Sequence, residues 1–274
     1  MSRLRVLLVG DVMGAPGRIM FQKHIDQLRA KHAIDAVIVN GENSDARGRG
    51  ITPRIVKFFR HNGADVVTSG NHIWANKEIY SYLAENNDLL RPANYPSSAP
   101  GVGVTMFKCK EHVIGVVNLI GRVFMKDLVD CPFRTAESIL TYLRGKTNII
   151  FVDMHAETSA EKIAMGFFLD GRVSGVVGTH THVQTADERI LPKGTGFITD
   201  LGMTGSYNSM IGMKKEPIIQ HFITQMPTKF VVEESAPVIM TGVWIEVDTA
   251  TGIATAIERV KVIDEEIHLE SNEQ

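Results

Sequence analysis

Short apolar runs that stop at a cation-binding side chain recur along this chain, and that recurrence constrains its fold most. Val173-Ser174-Gly175-Val176-Val177 reads as a buried strand and ends in Gly178-Thr179-His180-Thr181-His182. Alternate residues of an extended backbone project to one side, so the spacing predicts both imidazoles aimed at a common point. Neutral imidazole is the commonest metal ligand; taken alone, the motif fits two histidines on a surface loop equally well.

Four other strand ends add weight to the metal reading. The first apolar run, Arg5 to Val9, stops at Gly10-Asp11; the second, Ala36 to Asn40, stops at Gly41-Glu42-Asn43. A third, Ala64 to Thr68, runs into Ser69-Gly70-Asn71-His72, and a fourth, Asn148 to Met154, ends at His155-Ala156-Glu157. In open α/β sheets, ligands gather beyond the carboxyl ends of the strands. Leaving His72 aside, the set is His155, His180 and His182 with Asp11, Glu42, Asn43 and Asn71. That mixture suits a first-row metal such as iron, manganese or zinc and is too rich in nitrogen for a calcium cage. It also exceeds what one metal with open positions needs, whereas two metals sharing a carboxylate would use it fully.

The glycines after the first strand fall as G-x-x-x-G-x-x-G, from Gly10 through Gly14 to Gly17, so the dinucleotide spacing is absent. Helices are expected over Arg18–His32, from Pro53 with Thr52 as N-cap to Asn62, and over Lys77–Glu85, Ala136–Arg144, Lys162–Leu169 and Glu216–Ile223. Thr158 and Glu161 read as a capping box. After the proline-rich loop that begins at Arg91-Pro92, strands are expected at Val104–Cys109, Val113–Asn118, Arg189–Pro192, Gly196–Thr199, Thr228–Glu233, Val238–Val247 and Ala254–Ile263. Asp200 to Gly205 reads as a turn beside the site, and Asp248 to Gly252 as a hairpin loop. Strand–helix alternation followed by a strand-rich second half, with one shared ligand set, points to an α/β (α+β) chain folded as a single domain over residues 1–274, with a frayed tail at 264–274.

The bulk properties exclude several classes of protein. A net charge of -2 gives no polyanion-binding surface. Cys109 and Cys131 are the two cysteines and form no C-x-x-C motif, so a thiolate zinc site or disulfide framework is not expected and a reducing cytoplasm fits. No apolar run reaches membrane-spanning length. Assembly into a homo-oligomer stays open.

The order G-D, G-E-N, G-N-H, H-A-E and G-T-H-T-H resembles the calcineurin-like metallophosphoesterases. Within them the chain is most similar to the bacterial YmdB family, through "RPANYP", "VGTHTHVQTAD" and "ILPKGTGFITDLGMTG". It departs from the wider superfamily at three places: Met13 stands where D-x-H has histidine, Glu42 replaces the bridging aspartate, and Ile73 follows G-N-H where an acid is usual. The resemblance implies a four-layer αββα sandwich, two mixed β-sheets flanked by helices. It assigns one metal to Asp11, Glu42, Asn43 and His182, and a second to Glu42, Asn71, His155 and His180. His72 takes the position of the superfamily's catalytic histidine, as proton donor or phosphate stabiliser. The implied activity is a metal-dependent phosphodiesterase acting through a metal-bridging hydroxide, with 2',3'-cyclic nucleotides as the best candidate substrate.

Other residues have weaker expectations. Asp153 and Glu157 read as supporting partners of His155. Arg91 and Arg122 fit either a phosphate grip or an ordinary ion pair, and Asp200 and Thr204 fit ligand orientation or the cleft wall. Phe58-Phe59, Phe167-Phe168 and Trp244 read as core. The missing acid after His72 also motivates a rival: a metal- and nucleotide-binding regulatory protein with little turnover.

Overall fold

The computed structural model describes residues 2–267. Its first sheet is built around β1 (Arg3–Val9), which pairs in parallel with β3 (Ala36–Asn40), and β3 in turn pairs in parallel with β4 (Val66–Thr68). On its other side β1 pairs antiparallel with the long strand β12 (Val238–Asp248), whose far edge carries β13 (Ala254–Asp264). β2 (Asp11–Val12) and β11 (Met203–Ser206) extend this sheet at the site end, β11 pairing with the first residues of β12. The second sheet has the order β5-β6-β7-β8-β10-β9, from β5 (Val104–Cys109), β6 (His112–Ile120), β7 (Ile149–His155), β8 (Gly175–Thr179), β9 (Arg189–Ile190) and β10 (Gly196–Ile198). Its four central strands are parallel, and β5 and β9 close the edges antiparallel.

Strand periodicity assigns the two faces. Val6 and Leu8 of β1 and Ile38 of β3 point inward, against Ile114, Val116, Phe151 and Val177 of the second sheet. Their neighbours Leu7, Val9, Val37 and Val39 point outward. They are covered by Phe21 and Ile25 of α1 (Gly14–His32), Val56 and Phe59 of α2 (Pro53–His61) and Leu83 of α3 (Ile79–Glu85). Leu140 of α4 (Pro132–Leu143) and Met165 of α5 (Ser159–Leu169) cover Val117, Leu119 and Val152 on the far side of the second sheet. Parallel strands buried on both faces need nearly continuous apolar runs, which is why those runs stand out in the sequence. The result is the expected αββα sandwich.

Polar side chains lock the two sheets together at one end. Asn40 and Thr68, at the ends of β3 and β4, donate to the buried carboxylate of Asp153 on β7 at 3.1 and 2.5 Å. The backbone N–H of Ser69 donates to Asn118 of β6 at 3.0 Å. These bonds bring the carboxyl ends of both sheets to one place.

Several expectations need correction. Thr158 is the N-cap of α5 but its hydroxyl caps nothing; Glu161 instead accepts the backbone N–H groups of Arg122 and Val123, so the capping box does not form. Thr228–Glu233 is not a strand: Val232 forms one isolated bridge to Met213, and the segment follows α6 (Lys215–Thr224) without joining a sheet. Met203–Ser206, expected as part of a turn, is a strand because it pairs antiparallel with β12 on one side and parallel with β2 on the other. Phe167 and Phe168 are exposed and lie near the guanidinium groups of Arg189 and Arg172 rather than in the core, whereas Phe59 and Trp244 are buried. The tail is ordered further than expected: Asp264 ends β13 and binds Lys23 and His24, and Ile267 is buried. The remainder of the expected frayed tail, 268–274, lies outside the described residues.

Candidate metal centre

The centre starts from strand register. β1 and β3 align Val9 with Val39, and β3 and β4 align Asn40 with Thr68. Asp11, Glu42 and Asn71 therefore emerge just past one edge of the first sheet. In the second sheet Ile120, His155 and Thr179 lie side by side, which places His180 at the matching edge.

One oxygen of Glu42 and one ring nitrogen each from His155 and His180 lie within 4.8 Å of one another. His155 Nε2 is 3.2 Å from Glu42 Oε1 and 3.0 Å from Asn71 Oδ1. Asp11 is fully buried; its Oδ2 accepts the backbone N–H of His180 at 3.1 Å, and its Oδ1 lies 4.0 Å from His155 Nδ1. Asn43 and His72 adjoin the cluster: Asn43 Nδ2 is 3.3 Å from His72 Nδ1, which is itself 3.3 Å from Glu42 Oε1. His182 lies outside the tight group. Its Nδ1 contacts the carbonyl of Ile211 at 3.0 Å, and it remains within electrostatic reach of Glu42, Asp200 and His155.

His180 and His182 do not lie on the extended backbone that the sequence predicts. Their φ values of 98° and 63° are both left-handed. The turn between them is fixed by Asp200, whose Oδ2 accepts from the Thr181 hydroxyl at 2.6 Å and the Thr181 N–H at 3.3 Å. Lys162 of α5, also buried, donates to the same oxygen at 2.6 Å. Nothing in the sequence singles out Lys162, because lysine inside a helix ordinarily faces water. Arg49 was equally inconspicuous; its Nε lies 3.3 Å from His72 Nε2.

Supporting contacts set the tautomer of His155. Its Nδ1 is 2.9 Å from Thr179 Oγ1, and that hydroxyl donates to Asp153 Oδ1 at 2.7 Å. This relay directs Nε2 toward the donor cluster, the usual arrangement behind a metal-binding imidazole. Glu157 Oε2 approaches His180 Nε2 at 3.0 Å.

Electrostatics fit a pocket that takes positive charge. Burial, reinforced by the charges of Glu42 and Asp200, raises the Asp11 carboxyl well above its ordinary range although the charge of His155 opposes the rise. Burial also works against ionisation of Glu42, but the charges and hydrogen bonds of His155 and His72 outweigh it and hold that carboxyl low. Burial likewise disfavours a charged His155, yet Glu42, Asp11 and Asp153 push it up to about 9. His180, desolvated and beside His155, is pushed down to about 3.

The donor set fits a metal centre on two further observations. Asp11 Oδ1 and Asn43 Oδ1 are buried oxygens with no hydrogen-bond partner among the described residues, which is costly unless something else satisfies them. A Cβ on Gly70 would run into His155 Nε2 and Glu42 Oε2, so the chain leaves that space for the donors.

Arg91 is not available as a phosphate grip, because its guanidinium is spent on the carbonyls of Pro92, Ala99 and Pro100. It lines a cavity of about 850 Å³ with Tyr95, Arg122 and Arg134, and none of the cluster donors lines that cavity. Thr204 lies buried in β11 with its hydroxyl unpartnered among the described residues.

The chain matches the YmdB-like protein family over residues 7–260. It is 45% identical to the 2',3'-cyclic-nucleotide 2'-phosphodiesterase of Bacillus subtilis (strain 168), covering 97% of this chain and 100% of that one. A crystal structure of a novel phosphatase from Mycoplasma pneumoniae superposes with a TM-score of 0.90 at 33% identity, covering 97% of this chain and 95% of that one. A hypothetical protein from Thermus thermophilus superposes with a TM-score of 0.87 at 38% identity, over 95% of this chain and 100% of that one. Among the described residues no helix is long and apolar enough to cross a membrane. With the family match spanning nearly the whole chain and relatives of full length at this identity, the protein belongs to the YmdB-like family.

Proposed function

We propose that this protein is a dinuclear metal-dependent phosphodiesterase whose substrates are 2',3'-cyclic nucleotides, working in the cytoplasm. The observation that carries the reading is the convergence of Glu42, His155 and His180 within 4.8 Å, beside the unpartnered buried oxygens of Asp11 and Asn43. Asp11, Glu42, Asn43 and His182 would hold one cation, and Glu42, Asn71, His155 and His180 the other. Iron or manganese suits these donors best, with zinc as a further option. When bound, such cations act as Lewis acids and lower the pKa of water enough to make it a nucleophile near neutral pH.

The chain's own groups do the remaining work. The cyclic phosphate accepts the oxygen of water at phosphorus, one ring P–O ester bond breaks, and the departing alkoxide takes a proton. We take His72 as the group that supplies that proton: its Nδ1 lies 3.3 Å from Glu42 Oε1, and its Nε2, which accepts from Arg49 Nε–H, donates only in its protonated form with Arg49 displaced. General acid help of this kind is worth about a hundred- to ten-thousandfold in rate. Asp153, through Thr179, keeps His155 oriented, and Asp200 fixes the turn that carries His180 and His182.

The identity of the relatives supports hydrolysis, and the identity of the Bacillus subtilis relative supports the cyclic-nucleotide class. Ile73, the departure that motivates a binding-only protein, is wholly buried in the outer core. Packing therefore accounts for an apolar residue there. The test is metal analysis of the purified protein with steady-state assays on 2',3'-cyclic nucleotides and bis-p-nitrophenyl phosphate. Up to two metals per chain and turnover are expected. Full activity in a Glu42→Gln protein, or tight nucleotide binding without turnover, would overturn the reading.

A further inference from the structure

A tight turn beside the donor cluster presents two arginines and treats them differently. Asp45 N–H donates to the Gly50 carbonyl at 3.0 Å and Gly48 N–H to the Asp45 carbonyl at 2.8 Å. Gly48 and Gly50 take φ of 69° and 84°, values that only glycine adopts without strain. Asn43 ties the turn to the centre by donating its side-chain N–H to the Gly48 carbonyl at 2.9 Å. Arg47 is occupied: it pairs with Asp45 at 3.1 Å and binds Asn76. Arg49, between the two glycines, is exposed and reaches the other way, to His72 Nε2 at 3.3 Å. Among the described residues it has no acidic partner and no other hydrogen bond.

We infer that Arg49 is the residue that grips the phosphoryl oxygens of the substrate beside His72. This rests on the phosphodiesterase reading above and adds a binding residue to that site. A guanidinium carries five N–H donors in a planar fork that matches two phosphate oxygens at once. Here one donor is used, on a ring nitrogen at 3.3 Å, so little holds Arg49 where it is. An anionic phosphodiester offers it a charge-assisted pair of bonds instead. Moving onto the phosphate would also free His72 Nε2, which then can carry the proton that the leaving oxygen takes. A surface arginine with a purely structural role would be expected to find a carboxylate, as Arg47 does in the same turn.

The test uses the metal-loaded full chain with Arg49→Met and Arg49→Lys. Two readouts are needed: KM and kcat for a 2',3'-cyclic nucleotide, and the affinity for inorganic phosphate measured by calorimetry, which requires no turnover. Arg49→Met is expected to keep its metal and to raise both KM and the phosphate dissociation constant by about ten- to a hundredfold. Arg49→Lys should recover part of the loss, because it keeps the charge without the fork. Guanidinium ion added to an Arg49→Ala protein should restore part of its kcat/KM. Phosphate affinity and KM within twofold of the parent in Arg49→Met would overturn the inference. So would loss of metal, which would make Arg49 a support of the centre, or a fall in kcat alone, which would make it a positioner of His72. A parent protein that binds metal but turns over no phosphodiester would strike at the functional reading, and phosphate calorimetry would still decide the role of Arg49.

Discussion

Asp200 and Lys162 meet at 2.6 Å with almost no exposure of either side chain, and the carboxylate oxygen they share also holds Thr181. Thr181 sits between two histidines in left-handed conformations, each costing about 1–3 kcal/mol and kept only where the surroundings enforce it. Asp200→Ala should therefore do two separable things. It leaves the Lys162 ammonium buried without its carboxylate partner, holding only the Thr181 hydroxyl at 3.4 Å, for a loss of about 3–5 kcal/mol of stability. It also frees the turn that carries His180 and His182 and so weakens metal binding. Adding Lys162→Met to Asp200→Ala should recover much of the stability, read by chemical denaturation of the metal-free protein, without restoring metal affinity. A double variant that binds metal as the parent does would show that the pair serves stability alone.

Metal loading should compete with protons at His155. In the metal-free pocket this imidazole is raised to about 9, against 6.5 for an exposed histidine, so near neutral pH it carries a proton that a cation must displace. His180, lowered to about 3, carries none to compete over the same range. Metal affinity should fall as pH drops below about 9, with net proton release on binding at pH 7. Calorimetry in buffers of different ionisation enthalpy measures that release directly. The same shift sets the stability of the metal-free protein. A histidine raised on folding stabilises fully below its unfolded pKa, and that contribution is lost as pH rises through its folded pKa. The raised Asp11 acts in the same direction. The melting temperature of metal-free protein should decline between about pH 6.5 and 9; a rise over that interval would refute the assignment.

His72 should be separable from the ligands. Its ring touches Glu42 and Asn43, but Asn43 keeps its bond to the Gly48 carbonyl and Glu42 keeps the backbone N–H of residue 72 when the ring is removed. His72→Ala should retain metal while turnover drops by about a hundred- to ten-thousandfold. Metal content by elemental analysis, alongside kcat, checks this; parallel loss of metal would make His72 a ligand instead.

What the sequence made legible was local. The run Ala36–Asn40 is a strand with the expected bounds, and Thr52 caps α2 through the Ile55 N–H, because both depend on neighbouring residues alone. The convergence of Asp11, Glu42, Asn71 and His155 could be anticipated because strand ends in such sheets share an edge. What stayed hidden depends on distant partners. The turn at His180–His182 is imposed by Asp200 and Lys162; Asp200 stands out in sequence as a residue that orients ligands or lines the cleft, but its hold on Thr181 and its pairing with Lys162 do not. Glu161 has the spacing of a capping box yet is claimed by the N–H groups of Arg122 and Val123, which lie far earlier in the chain. Thr228–Glu233 has strand composition but lacks a continuous ladder to join, so its residues make one bridge and stop.

Gly70 offers the most direct check that the donor cluster is built as described. It lies between β4 and Asn71, and its φ is not among the left-handed values, so a side chain there meets no intrinsic backbone penalty. The obstacle is space: an added Cβ would overlap His155 Nε2 and Glu42 Oε2, both on elements that cannot retreat because each is buried and hydrogen-bonded. Gly70→Ala should therefore displace the two donors and abolish metal binding. The clash falls at the last residue of β7 and just past the end of β4, and leaves the paired length of the strands untouched, so the far-ultraviolet circular dichroism of the variant should match that of the parent. The control is Gly145→Ala, whose nearest neighbour to the new Cβ is a backbone oxygen at 3.7 Å, an ordinary contact. That variant should bind metal normally. If Gly70→Ala took up metal at parental stoichiometry, Glu42 and His155 would have room that the packing denies them, and the arrangement of donors around the centre would have to be redrawn.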